Sequence, residues 1–256
     1  MQYSALPRRR KRKETLDIET VEFVASFIVV MFAAAVQGTI GLGFNIVAVS
    51  VMSLINPILV PVPQLILGLA QSIGAVAREH TGVDRTGVWW IFLGRLPGAA
   101  IGVWLLSVAS DRVLDVFIGT MVLMAVLILA SGVKLVRNRT IEFGAGVFAG
   151  VSSYVSAIGG PPVALLYSKD EGPTIRATLG LVFTLGMSLT LVVRTFAGDV
   201  TSADVVLGLA LMPAAAAGFA MSSWLKERVA AAQLRAAIFI ISSVAAVALL
   251  GRALFG

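Results

Sequence analysis

The sequence predicts an all-α integral membrane protein with about eight transmembrane helices and two short half-helices, arranged as two homologous repeats. Three observations support this fold class: a strongly apolar composition, apolar segments near membrane-spanning length, and a constant spacing between matching residues of the two halves. Of the 256 residues, 58% are hydrophobic and 13% are charged, and the mean hydropathy is +0.93. Soluble globular domains carry about 25% charged residues, so this composition excludes that class.

Eight apolar segments come close to the roughly 20 residues that a helix needs to cross a bilayer. They cover approximately residues 21–36, 62–77, 88–108, 113–133, 143–155, 175–193, 205–225 and 234–250. Two further segments, 44–55 and 163–167, are too short to cross alone. We expect these two segments to be re-entrant half-helices.

Each short segment follows a glycine-rich break in the apolar sequence. The breaks are VQGTIGLGFN at Val36–Asn45 and SAIGGPP at Ser156–Pro162. Glycine costs about 1 kcal/mol per residue inside a helix, so clustered glycines predict unwound backbone at membrane depth. One broken element in each half is typical of a transporter binding site.

The two halves correspond at a constant offset, since the numbers of Gly43 and Gly159 differ by 116. Further pairs at this offset are Pro57 with Pro173, Arg78 with Arg194, Pro97 with Pro213 and Gly102 with Gly218. This register predicts an internal duplication. The resulting divisions are a basic tail over residues 1–20, membrane repeats over 21–133 and 143–256, and a linker over 134–142.

Basic residues predict which ends of the helices face the cytoplasm. Six of them, Arg8–Lys13, directly precede the first span and favour a cytoplasmic N-terminus. With four full crossings per half, the repeats are parallel, and the tail, the 78–85 loop, the 134–139 loop and Arg252 all lie inside. Five crossings per half would make the repeats inverted and would move Lys134, Arg137 and Arg139 outside. The second arrangement stays open because Lys169 and Arg176 lie outside in the first.

The two breaks and one arginine form a candidate anion site. The free N–H groups at a helix N-terminus, together with the helix dipole, attract anions. Arg95 lies near the middle of the 88–108 span, where an unpaired arginine costs at least about 2.5 to 3.5 kcal/mol. No acidic residue lies near the middle of any span, which favours an anionic substrate as the counter-charge. The candidate substrate-binding residues are Gln37, Gly38, Thr39, Gly41, Gly43, Asn45, Arg95, Ser156, Gly159, Gly160, Pro161 and Arg176.

Each of these residues also has a structural interpretation. The glycines can serve close helix packing, and Arg95 can snorkel or bind backbone carbonyls. Asp170 and Glu171 can neutralise Arg176.

Several other classes of function are excluded or disfavoured. The chain has no cysteine, which excludes disulfides and thiolate metal sites, and its lone histidine, His80, cannot build a metal site. No catalytic serine arrangement is present, so we expect neither an enzyme nor a cofactor. The net charge of +6 reflects the basic tail rather than nucleic-acid binding. Coupling to H⁺ or Na⁺ and assembly into homo-oligomers stay open.

Several motifs together resemble the TauE/SafE sulfite exporter family. They are GTIGLGFNIVAV, IGGPPVALLY, TIRATL and the related pair LPGAAIG and MPAAAAG. The resemblance covers nearly the whole chain, although Gly41-Leu42-Gly43 is a shorter glycine run than in some members and no proline follows at 50–53. It implies a multi-pass permease of the bacterial inner membrane, built from repeated four-span halves, for sulfite, organosulfonates or related anions. We therefore predict a secondary permease with alternating access, the alternatives being an anion channel, a membrane scaffold or an intramembrane enzyme.

Overall fold

A computed structural model describes residues 18–131, 136–167, 170 and 172–255. In this part of the chain the regular structure is entirely helical. The α-helices are α1 Thr20–Ile40, α2 Phe44–Ile55, α3 Val62–Arg78, α4 Arg85–Val108, α5 Asp111–Ser131, α6 Arg139–Ser156, α7 Pro161–Leu166, α8 Gly172–Phe196, α9 Ser202–Ala210, α10 Met212–Arg228 and α11 Ala231–Phe255, and a 3₁₀ turn covers Pro57–Leu59. The basic cluster Arg8–Lys13, Lys134, Lys169 and Glu171 lie outside the described residues.

Within the described residues, five helical stretches are long and apolar enough to cross a membrane. They are Thr20–Ile40, Arg85–Val108, Gly172–Phe196, Ser202–Arg228 and Ala232–Arg252. The prediction of an all-helical membrane protein is confirmed, while the count of eight spans is not.

The outer surface of the helices is as apolar as their buried faces. On α11, Val244 and Val247 are 66% and 64% exposed, whereas Ala246 and Leu249 are fully buried. A helix that is hydrophobic on all sides fits a position between a protein core and lipid. The chain therefore exposes to its surroundings the kind of surface that acyl chains cover.

The main helix pairs each join one helix from the first half of the chain to one from the second. Helix α1 packs against α10, α4 against α6, α3 against α8, and α5 against α11. Glycines permit the closest of these approaches, because a Cβ at Gly98 of α4 would lie 3.0 Å from the Cα of Gly150 on α6. These glycines therefore serve close helix packing.

Helices α1 and α2 form a hairpin in which the end of α2 lies beside the start of α1. The Nδ2 of Asn56, just after α2, donates to Oε2 of Glu22 in the first turn of α1, at 3.0 Å. Arg252, near the end of α11, donates through Nη1 to the carbonyl of Ser53 at 3.3 Å. The start of α1, the end of α2 and the end of α11 thus share one end of the bundle, which we call the N-terminal end.

A second set of contacts marks the opposite end of the bundle. Lys226 at the end of α10 pairs with Glu79, the residue after α3, at 3.1 Å. Arg137, before α6, lies 3.6 Å from Asp84, before α4. Helix α3 has 17 residues and a length of about 25 Å, so it separates these residues from the N-terminal end.

The structure corrects the four-plus-four topology. That arrangement placed the start of α1 and Arg252 on the same side as the 78–85 and 134–139 loops, whereas the contacts place them at opposite ends. The physical reason is the length and direction of α2. Its 12 residues cover about 18 Å and run back along α1, so that α3 starts again from the N-terminal end.

Candidate functional site

The two glycine-rich breaks lie side by side in the fold. Gly41 and Gly43 adopt positive φ angles of 90° and 114°, which end α1 and turn the chain into α2. The second break connects α6 to α7. Asn45, in the first turn of α2, donates through Nδ2 to the carbonyl of Ala157 at 2.7 Å. This buried hydrogen bond fastens the first break to the second.

A cavity lies between the breaks, with about 410 Å³ of space between atoms, part of it open towards the outside. Its lining comes from both breaks and from α1, α2, α4, α6 and α8. The lining residues are Gln37, Leu42, Gly43, Asn45, Ile46, Arg95, Ser153, Ile158, Gly159, Gly160, Phe183 and Met187.

Arg95 contributes a buried charge to the cavity wall. Its side chain is only 2% exposed, and its Nε and Nη1 have no hydrogen-bond partner among the described residues. The guanidinium lies against Gly186 of α8, where a Cβ would collide with Nη1 and Cζ and would lie 2.6 Å from Nε. Its Nη2 faces the second break, 3.3 Å from where a Cβ of Gly159 would be. In the described part of the chain no carboxylate pairs with Arg95.

Neutral polar groups surround the arginine. The Oε1 of Gln37 accepts the backbone N–H of Phe44 at 3.0 Å, which leaves Nε2 as the remaining donor of that amide. The hydroxyl of Ser153 lies 3.4 Å from that of Thr190. Gln37 and Arg95 thus offer hydrogen-bond donors to this space, and such donors suit a small anion.

The two short helices are unequal. Helix α2 has 12 residues, and Asn45 and Ile46 of its first turn line the cavity, so its positive dipole end faces this space. Helix α7 has only six residues, and Pro161 and Pro162 supply no N–H group to its first turn. Electrostatic attraction of an anion thus comes mainly from α2 and Arg95 rather than from two equivalent half-helices.

Half of the predicted site residues come together in the cavity, and the other half lie outside its lining. Gln37, Gly43, Asn45, Arg95, Gly159 and Gly160 line it. Gly38 packs against Phe219 and Ser222, Thr39 and Ser156 donate to the carbonyls of Ala35 and Ser152 in their own helices, and Pro161 lines a smaller neighbouring cavity.

Arg176 and Gly41 contact each other instead of the cavity. A Cβ at Gly41 would lie 2.5 Å from Cγ of Arg176, and the Nε of Arg176 donates to Oε2 of Glu79 at 2.6 Å. Among the described residues, Arg176 therefore pairs with Glu79, 97 positions earlier in the chain, whereas Asp170 pairs with Arg137 at 2.7 Å. Of the two acidic residues near Arg176 in the sequence, Asp170 thus contacts another arginine, and Glu171 lies outside the described residues.

Six lining residues were not among the predicted site residues. They are Leu42, Ile46, Ser153, Ile158, Phe183 and Met187. One signal was present, because Ser153 is the counterpart of Gln37 at the offset of 116. Phe183 and Met187 are apolar residues of an apolar helix, so no local pattern distinguishes them from their neighbours.

The fold and the cavity define a class: a helical membrane protein with a buried, cation-bearing site between its two halves. The sequence model of the family Sulfite exporter TauE/SafE matches residues 26–249. The chain belongs to this family, which is a family of membrane transporters. No curated protein and no solved structure matches the chain.

Proposed function

We propose that this protein is a secondary permease for small sulfur-containing oxyanions such as sulfite or organosulfonates. We place the protein in the bacterial inner membrane with its N-terminus in the cytoplasm. The basic residues before α1 favour this orientation. The observation that carries the proposal is Arg95, a buried guanidinium in a cavity wall that has no carboxylate partner among the described residues. A buried charge without a partner is costly, and an anionic substrate supplies the missing counter-charge.

The chemistry of the lining supports a compact oxyanion. Sulfite and sulfonate groups present three oxygens that accept charge-assisted hydrogen bonds from a guanidinium. Glycines at positions 43, 159 and 160 keep the backbone bare beside this space. Phe183 and Met187 complete an apolar wall that suits a short carbon chain or excludes water around the anion.

The way in which the two hairpins enter the bundle supports alternating access as the mechanism. The α1–α2 hairpin starts and ends at the N-terminal end, as the bond between Glu22 and Asn56 indicates. After α7, the hydroxyl of Tyr167 donates to Oδ2 of Asp84 at 3.4 Å, which returns the α6–α7 hairpin to the opposite end. We infer inverted repeats of five elements each, with α9 and α10 counted as the single stretch Ser202–Arg228. Their breaks meet at the substrate, and their rocking exposes it to either side in turn.

Flux measured in proteoliposomes tests the proposal. Wild-type protein should carry sulfite down its gradient with saturable kinetics, and Arg95→Ala should reduce the flux at least about 10-fold, the value of one lost charge-assisted hydrogen bond. Arg228→Ala is the matched control, because Arg228 is exposed and stacks on Trp224 at 4.5 Å, away from the cavity.

Each outcome has a distinct meaning. Equal flux through the wild type and Arg95→Ala would remove Arg95 from the site. Flux that rises linearly with sulfite would indicate a channel, and absence of flux for every anion would indicate a scaffold.

A further inference from the structure

The amide of Asn45 has a fixed orientation and an unsatisfied oxygen. Its side chain is 9% exposed, and its Nδ2 donates to the carbonyl of Ala157 at 2.7 Å. A rotation of the amide by 180° would bring two acceptor oxygens together, so the nitrogen must face Ala157. The Oδ1 of Asn45 then has no partner among the described residues.

Asn45, which carries this acceptor, lines the same cavity as Arg95, which carries the unpartnered Nε and Nη1. An oxyanion without a hydrogen of its own satisfies the guanidinium but presents only lone pairs to Asn45. A buried acceptor that stays unpaired when the ligand binds lowers the affinity. Arg95 and Asn45 together therefore complement a ligand that can both accept and donate hydrogen bonds.

Two glutamine side chains also have an unpartnered amide oxygen, and they show why the location of Asn45 in the cavity lining is important. Gln71 donates through Nε2 to the carbonyl of Ala215 at 2.8 Å and has an unpartnered Oε1, as does Gln64. Neither of them lines the cavity. An orphaned amide oxygen alone thus indicates no ligand, whereas one that shares a cavity with an unpaired guanidinium does.

We propose that the cavity selects monoanions that carry their own O–H donor, with the oxyanion group at Arg95 and the hydroxyl donating to Oδ1 of Asn45. Hydroxyalkanesulfonates and singly protonated inorganic oxyanions belong to this class. The inference rests on the proposed function and specifies its substrate. A site built around a substrate hydroxyl rejects the analogue that lacks it.

Competition with sulfite uptake tests the proposal in proteoliposomes. Ethanesulfonate and 2-hydroxyethanesulfonate carry the same charge and differ by one hydroxyl group. For the wild type, 2-hydroxyethanesulfonate should inhibit at a concentration about 10-fold lower than ethanesulfonate, as one buried hydrogen bond predicts. Asn45→Leu should abolish this ratio, and Gln71→Leu, which removes the same chemistry outside the cavity, should retain it.

The ratio of the two inhibitory concentrations in the wild type tests the selectivity even if Asn45→Leu does not fold. Equal inhibition by both sulfonates, stronger inhibition by ethanesulfonate, or inhibition by neither while sulfite moves would overturn the selectivity and leave the permease proposal intact. A ratio that persists in Asn45→Leu would assign the hydroxyl to another group. Absence of sulfite flux would overturn the permease proposal, and this inference with it.

Discussion

At the residue scale, the position of Arg95 depends on the absence of a side chain at Gly186. Gly186 provides the space in which the guanidinium of Arg95 lies, so Gly186→Ala should displace the guanidinium and reduce sulfite flux at least about 10-fold. Alanine normally stabilises a helix interior by about 1 kcal/mol relative to glycine. Tryptophan fluorescence can monitor the unfolding of Gly186→Ala. A lower melting temperature of this variant would therefore report the collision of the new Cβ with Arg95 rather than an effect of helix propensity.

A second substitution separates collision from general packing. In an Arg95→Ala background the guanidinium that the added Cβ would collide with is absent. Gly186→Ala should then no longer lower the melting temperature. Gly144→Ala serves as the control, since no atom lies within 4 Å of its added Cβ and its stability should be unchanged or higher. An equal decrease of the melting temperature by Gly186→Ala in both backgrounds would contradict the role assigned to this glycine.

At the element scale, one carboxylate holds three helix ends together. Glu79 after α3 binds Arg176 of α8 at 2.6 Å and Lys226 of α10 at 3.1 Å, and Arg176 in turn packs against Gly41 of the first break. Burial alone would raise the pKa of Glu79, but hydrogen bonds and the charges of Arg176 and Lys226 outweigh it, and the net pKa lies below its usual value. The ion pairs therefore couple the first break to α3, α8 and α10.

Glu79→Gln should lower the melting temperature at neutral pH by a few degrees, because a partly exposed ion pair contributes on the order of 1 kcal/mol. A carboxyl with a lowered folded-state pKa stabilises above its unfolded pKa of about 4.3, and this contribution disappears as the pH falls through the folded-state value. The difference between wild type and variant should thus be full at pH 7 and vanish in acid. Glu227→Gln, at an exposed position of α10, should show no such difference; a constant difference at all pH values would point to packing instead of charge.

At the scale of the whole molecule, the direction of α2 sets the topology. The native chain contains no cysteine, so single cysteines can be introduced without removing any. An impermeant maleimide should label Thr20→Cys from one side of the membrane, and His80→Cys and Val136→Cys from the other. Thr20 starts α1, whereas the other two lie in loops at the opposite end. Labelling of all three from one side would restore the four-plus-four arrangement.

The sequence by itself determined the membrane class, the positions of both breaks, the buried charge at Arg95 and the resemblance that the family match confirms. These are local properties, because hydrophobicity, the helix cost of glycine and the cost of a lone arginine are readable within a few residues. Only the tertiary structure decided that α2 returns to Glu22, that Arg176 pairs with Glu79 and that Gly186 accommodates Arg95. Each of these facts joins residues 34 or more positions apart, and such pairings depend on how helices pack rather than on the pattern within any one of them.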